Sequence, residues 1–137
     1  MAPTVLIVDD DPLMLLLYRN HLERGGYRMI TAKNGLEALE VATQEAPSLI
    51  FMDVMMEGMD GLSALRELKK REATKEIPVV IITSASGQHN ATKREAEQSG
   101  AASFLTKPLS PMQFLNEVKR LVPSAAPGEP TAPAEGK

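Results

Sequence analysis

Residues 4–12 read TVLIVDDDP, and this stretch decides the fold. Five residues of mostly β-branched and apolar character make a short strand with no polar alternation, the pattern of a strand buried on both faces. Three consecutive Asp (Asp9, Asp10, Asp11) then end the apolar run. Asp11 can cap a helix through its side-chain oxygen, and Pro12 suits the first helical position, where a missing N–H costs nothing. A buried strand thus passes directly into a helix, with a cluster of carboxylates at the turn between them.

Outward from this unit the same alternation repeats. Met14, Leu17, Tyr18, His21 and Leu22 recur at helical spacing and form one inward stripe, and Gly25-Gly26 ends that helix. Residues 27–32 make a weaker, partly polar strand suited to a sheet edge. Asn34-Gly35 opens a second helix with Ala38, Leu39 and Ala42 on one face, and Pro47 stops it. Residues 48–53 form an apolar strand ending in Asp53, followed by a Met- and Gly-rich loop over 54–61. Asp60 caps a third helix with Leu62, Leu65 and Leu68 inward. Residues 77–83 are a strongly β-branched strand, 88–99 a polar helix ending at Gly100, and 102–106 a short strand. Lys107-Pro108 is a turn, and residues 111–122 are a last helix burying Phe114, Leu115, Val118 and Leu121 or Val122. The order βαβαβαβαβα predicts an α/β fold: a doubly wound parallel sheet of five strands with helices on both faces.

The whole chain has 137 residues and a formal charge of −3, enough for one domain and without the basic balance of a nucleic-acid binder. It has no Cys, which excludes disulfides, thiol catalysis and Cys-based zinc sites, and only two His. No apolar run reaches the roughly 18 residues of a membrane helix, and the N-terminus lacks the features of a signal peptide. A cytoplasmic protein is expected. Residues 123–137 hold four of the ten Pro and no Val, Ile, Leu, Met or aromatic residue. They are expected to form a flexible tail or a truncated linker beyond a domain spanning 1–122.

Acidic residues divide unequally: thirteen Glu are scattered, whereas the five Asp are Asp9, Asp10, Asp11, Asp53 and Asp60. In an open parallel sheet, ligands bind beyond the carboxyl ends of the strands. Asp9, Asp10 and Asp11 end the first strand, Asp53 the third, Thr83 the fourth, and Lys107 follows the fifth. Carboxylates brought together repel unless a cation or proton offsets them. With no His or Cys nearby, the donors are oxygens, which suits a hard cation such as Mg²⁺. A hard cation, a Lys ammonium and a hydroxyl donor are what phosphoryl transfer needs, and a carboxylate can be its nucleophile.

At these residues the chain resembles the response-regulator receiver domains of two-component signalling, in the manner of the chemotaxis regulators. The matching segments are VLIVDDDP (5–12), LIFMDV with the loop MMEGMDG (49–61), VVIITSA (79–85) and FLTKP (104–108). The resemblance implies a flavodoxin-like sheet of order 2-1-3-4-5. It implies that Asp53 accepts a phosphoryl group from a sensor histidine kinase or histidine phosphotransfer protein. Asp9, Asp10, Asp53 and the backbone carbonyl of Met55 would bind Mg²⁺ or Mn²⁺. Thr83 and Lys107 would hold phosphoryl oxygens, Phe104 would be the aromatic switch residue, and the bond before Pro108 would be cis. The protein would be a switch rather than an enzyme, with at most self-phosphorylation and self-dephosphorylation. No direct contact with nucleic acid or insertion into a membrane is implied, and the output surface would lie around the fourth helix, fifth strand and fifth helix.

Blander readings stand beside these. Asp11 and Asp60 read as helix caps, Phe104 can be plain core, and Met52, Met55, Met56 and Met59 read as gap-fillers. His21 reads as a buried histidine. A pseudo-receiver that keeps the fold and binds partners without phosphorylation is the alternative function. A flavoprotein is disfavoured because no Gly-rich or hydroxyl-rich phosphate loop follows the first strand. An aspartate-based phosphatase is disfavoured because Asp53 is followed by Val54 and Met55 rather than by a second Asp. Glu57 stands where the family commonly has Pro. Met55 and Ala85 flank the phosphoryl position and cannot orient water strongly, so slow self-dephosphorylation is expected. Leu13 and Leu16 lie off the inward stripe, beside the acidic residues, where they either dock a kinase or phosphotransfer helix or pack closely.

Overall fold

A computed structural model describes residues 3–54, 61–84, 89–107 and 109–122. Strands and helices alternate as β1 (Thr4–Val8), α1 (Pro12–Arg24), β2 (Arg28–Ala32), α2 (Gly35–Glu45) and β3 (Leu49–Asp53). They continue as α3 (Gly61–Lys70), β4 (Val79–Ser84), α4 (His89–Gln98), β5 (Ser103–Lys107) and α5 (Pro111–Leu121). The strands form one parallel sheet in the order β2-β1-β3-β4-β5, as expected. The partly polar β2 is an edge strand. None of the described helices is long and apolar enough to cross a membrane.

Strand alternation splits the core in two. Leu6, Val8, Ile50, Met52, Val79 and Ile81 pack against α2, α3 and Ala96 of α4. Val5, Ile7, Leu49, Phe51, Val80 and Ile82 face Tyr18 and Leu22 of α1 and Phe114 and Val118 of α5. β1, β3 and β4 are therefore apolar on both sides, which is why they read as continuous runs. Met52 is fully buried in the first of these cores, a gap-filler as expected.

Helix ends follow local chemistry. Asp11 accepts from the Leu13 N–H at 3.0 Å, and Asn34 from the Glu37 N–H at 2.8 Å. Gly26 (φ 88°) and Gly100 (φ 101°) take the left-handed conformations that close α1 and α4. Ser110 and Gln113 form a reciprocal capping box at α5 that the sequence reading did not include.

Two expectations need correction. The inward stripe of α1 is narrower than its spacing implied: Tyr18 and Leu22 are buried and His21 only half-buried, while Leu17 is 43% exposed. Leu17 sits one residue, about 100° of rotation, from Tyr18, and the residues of α1 that pack on the sheet core are Tyr18 and Leu22 with Met14 and Leu15 beside them. The fourth strand starts at Val79 rather than 77, because Ile77 closes a turn onto the Thr74 carbonyl and Pro78 has no N–H to donate.

Gly61, the first residue of α3, is buried against the end of β3. A Cβ there would stand 2.6 Å from the Asp53 carbonyl oxygen and 3.0 Å from the Val54 Cα. Both are backbone atoms that cannot swing aside. Gly61→Ala is expected to cost about 1–3 kcal/mol of unfolding free energy, because α3 must lift off β3. Urea unfolding measures this, and a wild-type midpoint would contradict the close approach.

Candidate functional site

The carboxyl ends of β1, β3 and β5 converge on one ion-paired set. Asp9 continues the Val5–Ile7 alternation, Asp53 the Leu49–Phe51 alternation, and Lys107 follows Leu105 in the same sense. All three therefore belong to the α1/α5 side of the sheet. The Lys107 Nζ donates to Asp53 Oδ2 at 3.0 Å and lies 3.5 Å from Asp9 Oδ2. Asp9 Oδ1 accepts the Asp11 N–H at 3.0 Å, and its own N–H is tied to the Ala32 carbonyl. Lys107, expected in a turn, belongs to β5 and pairs in register with Ser84, which fixes its backbone beside β4.

Both carboxylates are out of water: Asp9 is 2% and Asp53 5% exposed. Burial pushes the Asp9 carboxyl above its ordinary range; the Asp11 N–H and Lys107 oppose this, and the charge of Asp53 adds to it. Burial alone would lower the Lys107 ammonium, but its hydrogen bond to Asp53 and the charges of Asp53 and Asp9 prevail and raise it. One ammonium serves two buried carboxylates, so the set keeps an excess of negative charge. Its donors are oxygens, which matches a hard cation in both charge and ligand type. Asp10 stands exposed beside them. Among the described residues, no three His, Asp or Glu side chains gather closely enough to hold a metal by themselves.

Thr83 and Phe104 occupy the opposite side. Thr83 follows Val79 and Ile81 by alternation and is 5% exposed. Phe104 pairs in register with Ile81 and packs, half-buried, against the α2–α3–α4 core. The acid–lysine set and the Thr83–Phe104 pair thus sit on different faces at the same end of the sheet. Met55, Met56, Glu57, Met59, Asp60, Ala85, Pro108 and residues 123–137 lie outside the described residues. The expectations for the Met55 carbonyl, the Asp60 cap, the Pro108 bond, slow self-dephosphorylation and the tail lie there with them.

One neighbour of the site went unread. Tyr18 counted only as an apolar member of the α1 stripe. Its ring packs on Phe114 at a centroid distance of 4.7 Å, and Phe114 packs on Phe51 at 4.8 Å. The phenol is pushed up to about 12 by burial first and then by the charge of Asp9, with Lys107 opposing. Below pH 10 the phenol is protonated in both folded and unfolded chains, and its contribution to stability is complete. Between pH 10 and about 12 the unfolded chain ionises first, so stability falls as pH rises. Two pKa units correspond to roughly 2–3 kcal/mol. Tyr18→Phe is expected to lose that much less stability between pH 9 and 12, by urea titration at each pH; a slope equal to wild type would contradict it.

A five-stranded parallel sheet in this order, with Asp, Asp and Lys at its carboxyl edge, defines a flavodoxin-like domain with an acidic site. The chain matches the response regulator receiver domain over residues 5–119 and belongs to that family, the receivers of two-component systems. It is 33% identical over 135 residues to the phosphate regulon transcriptional regulatory protein PhoB of Pseudomonas aeruginosa, covering 98% of this chain and 58% of PhoB. It is 33% identical over 119 residues to the polar-differentiation response regulator DivK of Brucella anthropi, covering 87% of this chain and 95% of DivK. Its fold is similar to the receiver domain of the sensor histidine kinase PA1611 of Pseudomonas aeruginosa PAO1, which has a magnesium ion coordinated in its active-site cleft. That likeness has a TM-score of 0.79 at 25% identity and covers 88% of this chain and 98% of the other. The chain therefore spans nearly all of DivK but little more than half of PhoB.

Proposed function

We propose that this domain, residues 1–122, is a phosphorylation-dependent switch whose acceptor is Asp53. The observation that carries this reading is the pair of buried carboxylates sharing one ammonium at the sheet edge. An Asp53 oxygen attacks the phosphorus of a phosphohistidine, the P–N bond breaks, and the imidazole leaves as the acyl phosphate forms. Lys107 and the Thr83 hydroxyl donate to phosphoryl oxygens. Asp9, Asp10, Asp53 and the Met55 carbonyl would hold Mg²⁺ or Mn²⁺, which would supply positive charge to offset that of the phosphoryl oxygens. Thr83 moving toward the phosphoryl group vacates room that Phe104 fills, changing the surface around α4, β5 and α5. The domain acts in the cytoplasm, with a sensor histidine kinase or phosphotransfer protein upstream and a protein partner downstream. A pseudo-receiver would keep the fold without this chemistry. Beryllofluoride with Mg²⁺ separates the two: saturable binding, seen as shifted amide resonances, is expected here, and no binding would favour the pseudo-receiver.

Leu13 and Leu16 are 64% and 54% exposed and adjoin Leu17 on the outer face of α1. Three leucines beside the acid set suit an apolar helix of the phosphodonor protein. A Leu13→Ser, Leu16→Ser variant is expected to accept phosphate from the donor protein on the order of ten-fold more slowly, from lost apolar burial. Its rate with a small-molecule phosphodonor should stay at the wild-type level. Equal rates with the donor protein would reject this docking face.

A further inference from the structure

Tyr18 carries a polar atom with no hydrogen-bond partner among the described residues. The residue is 3% exposed, and its hydroxyl is buried. A buried unpaired hydroxyl costs free energy, so such a group calls for a reason. Its position supplies one. Tyr18 shares the α1/α5 side of the sheet with Asp9, Asp53 and Lys107, and the phenol feels the charges of all three, Asp9 most strongly.

The acid set is also unevenly held. Lys107 lies 3.0 Å from Asp53 but 3.5 Å from Asp9, so the Asp9 contact is the looser one. Phosphorylation of Asp53 adds negative charge on the Asp53 side and draws the ammonium that way. Asp9 then keeps the Asp11 N–H on Oδ1 and loses its cationic neighbour at Oδ2. A carboxylate accepts about four hydrogen bonds, so a further donor fits alongside a cation.

We propose that Tyr18 is a positioning residue of the acid set, whose hydroxyl donates to the Asp9 carboxylate when Lys107 moves onto the modified Asp53. The inference rests on the phosphoacceptor reading given above. The hydroxyl, without a partner among the described residues in the resting protein, is paired in the activated one, so it biases the switch toward the activated state. Tyr18→Phe removes that donor and keeps the ring on Phe114.

The test compares wild type and Tyr18→Phe in urea unfolding and in calorimetric titration with beryllofluoride and Mg²⁺. The variant is expected to be as stable as wild type at neutral pH, or more so, and to bind beryllofluoride about ten-fold more weakly, the worth of a hydrogen bond to a charged group. A slowly exchanging Tyr18 hydroxyl proton should appear by NMR only in the beryllofluoride-bound wild type. Tyr18→Leu, which also removes the ring, should lower the stability of both states alike. Equal beryllofluoride affinity for wild type and Tyr18→Phe overturns the inference, as does a Tyr18→Phe variant destabilised equally in both states. Failure of the wild type to bind overturns this inference together with the phosphoacceptor reading; failure confined to the comparison overturns this inference alone.

Discussion

Asp53→Asn protein is expected to take up no phosphoryl group from any phosphohistidine donor while remaining folded. The substitution keeps the shape of the side chain and removes the anionic oxygen that attacks phosphorus. The fold should tolerate it because Asp53 is one of two buried carboxylates sharing the Lys107 ammonium, and Asp9 remains to pair with it. Removing one negative charge from a set with an excess of them leaves stability unchanged or raises it by about 1 kcal/mol. Intact mass spectrometry after incubation with a phosphorylated donor measures uptake, and thermal unfolding measures the fold. Asp11→Asn is the control: Asp11 is exposed and caps α1, and its variant should be labelled normally. Uptake by Asp53→Asn at the wild-type level would place the acceptor elsewhere and end the present reading.

Removing Lys107 should have the largest effect on stability. In Lys107→Met protein, Asp9 and Asp53 lose the ammonium that both contact, and two carboxylates at 2% and 5% exposure face each other without it. Removing the cationic partner of a buried carboxylate costs up to about 3–5 kcal/mol, less where hydrogen bonds such as that from the Asp11 N–H to Asp9 remain. Lys107 is itself 26% exposed, so water screens part of this, and a loss of about 2–3 kcal/mol is expected at neutral pH in chelator. The sign of the pH dependence follows from Asp9, whose carboxyl already sits above its ordinary value. A raised acid favours the folded state while protonated and loses that advantage as pH rises through its folded value. The deficit of the variant should therefore shrink as pH falls toward the carboxylate range and be largest at neutral pH. Urea unfolding from pH 4 to pH 8 measures it. A variant as stable as wild type at pH 7 would show that the ammonium does not hold the pair.

Much of this was legible in the chain, for physical reasons that differ by residue. β1 and α1 coincide with their expected bounds because Asp11 and Pro12 act on neighbours only a residue or two away. The parallel sheet follows from the alternation of strands and helices and the edge position of β2 from its polar residues, whereas the order β2-β1-β3-β4-β5 was implied only by the family resemblance. Asp9, Asp53, Thr83 and Lys107 were legible because each ends or adjoins a strand at one edge. The rest depends on contacts between residues remote in sequence. Leu17 has the same spacing as its buried neighbours, and only the docking angle of α1 leaves it outside. The tie of Lys107 to both carboxylates spans the sheet. Gly61 looks like an ordinary loop glycine until the Asp53 carbonyl is found against it. Tyr18 reads as apolar because its ring is, and nothing local shows where its oxygen comes to rest.

The division of the site between two faces bears on how such a domain diversifies. Asp9, Asp53 and Lys107 are backed by α1 and α5, whereas Thr83 and Phe104 lie on the side of α3 and α4. Among the described residues, α1 packs on one core cluster and Ala96 of α4 on the other, and changes at such separated sites combine nearly additively. On the proposed reading, donor specificity written on the outer face of α1 can drift while the α4 part of the output surface stays constant, whereas α5, which shares the side of α1, is tied to both. A designer could exchange the outer face of α1 to change the donor that the proposed switch accepts while leaving the α4 surface as it is.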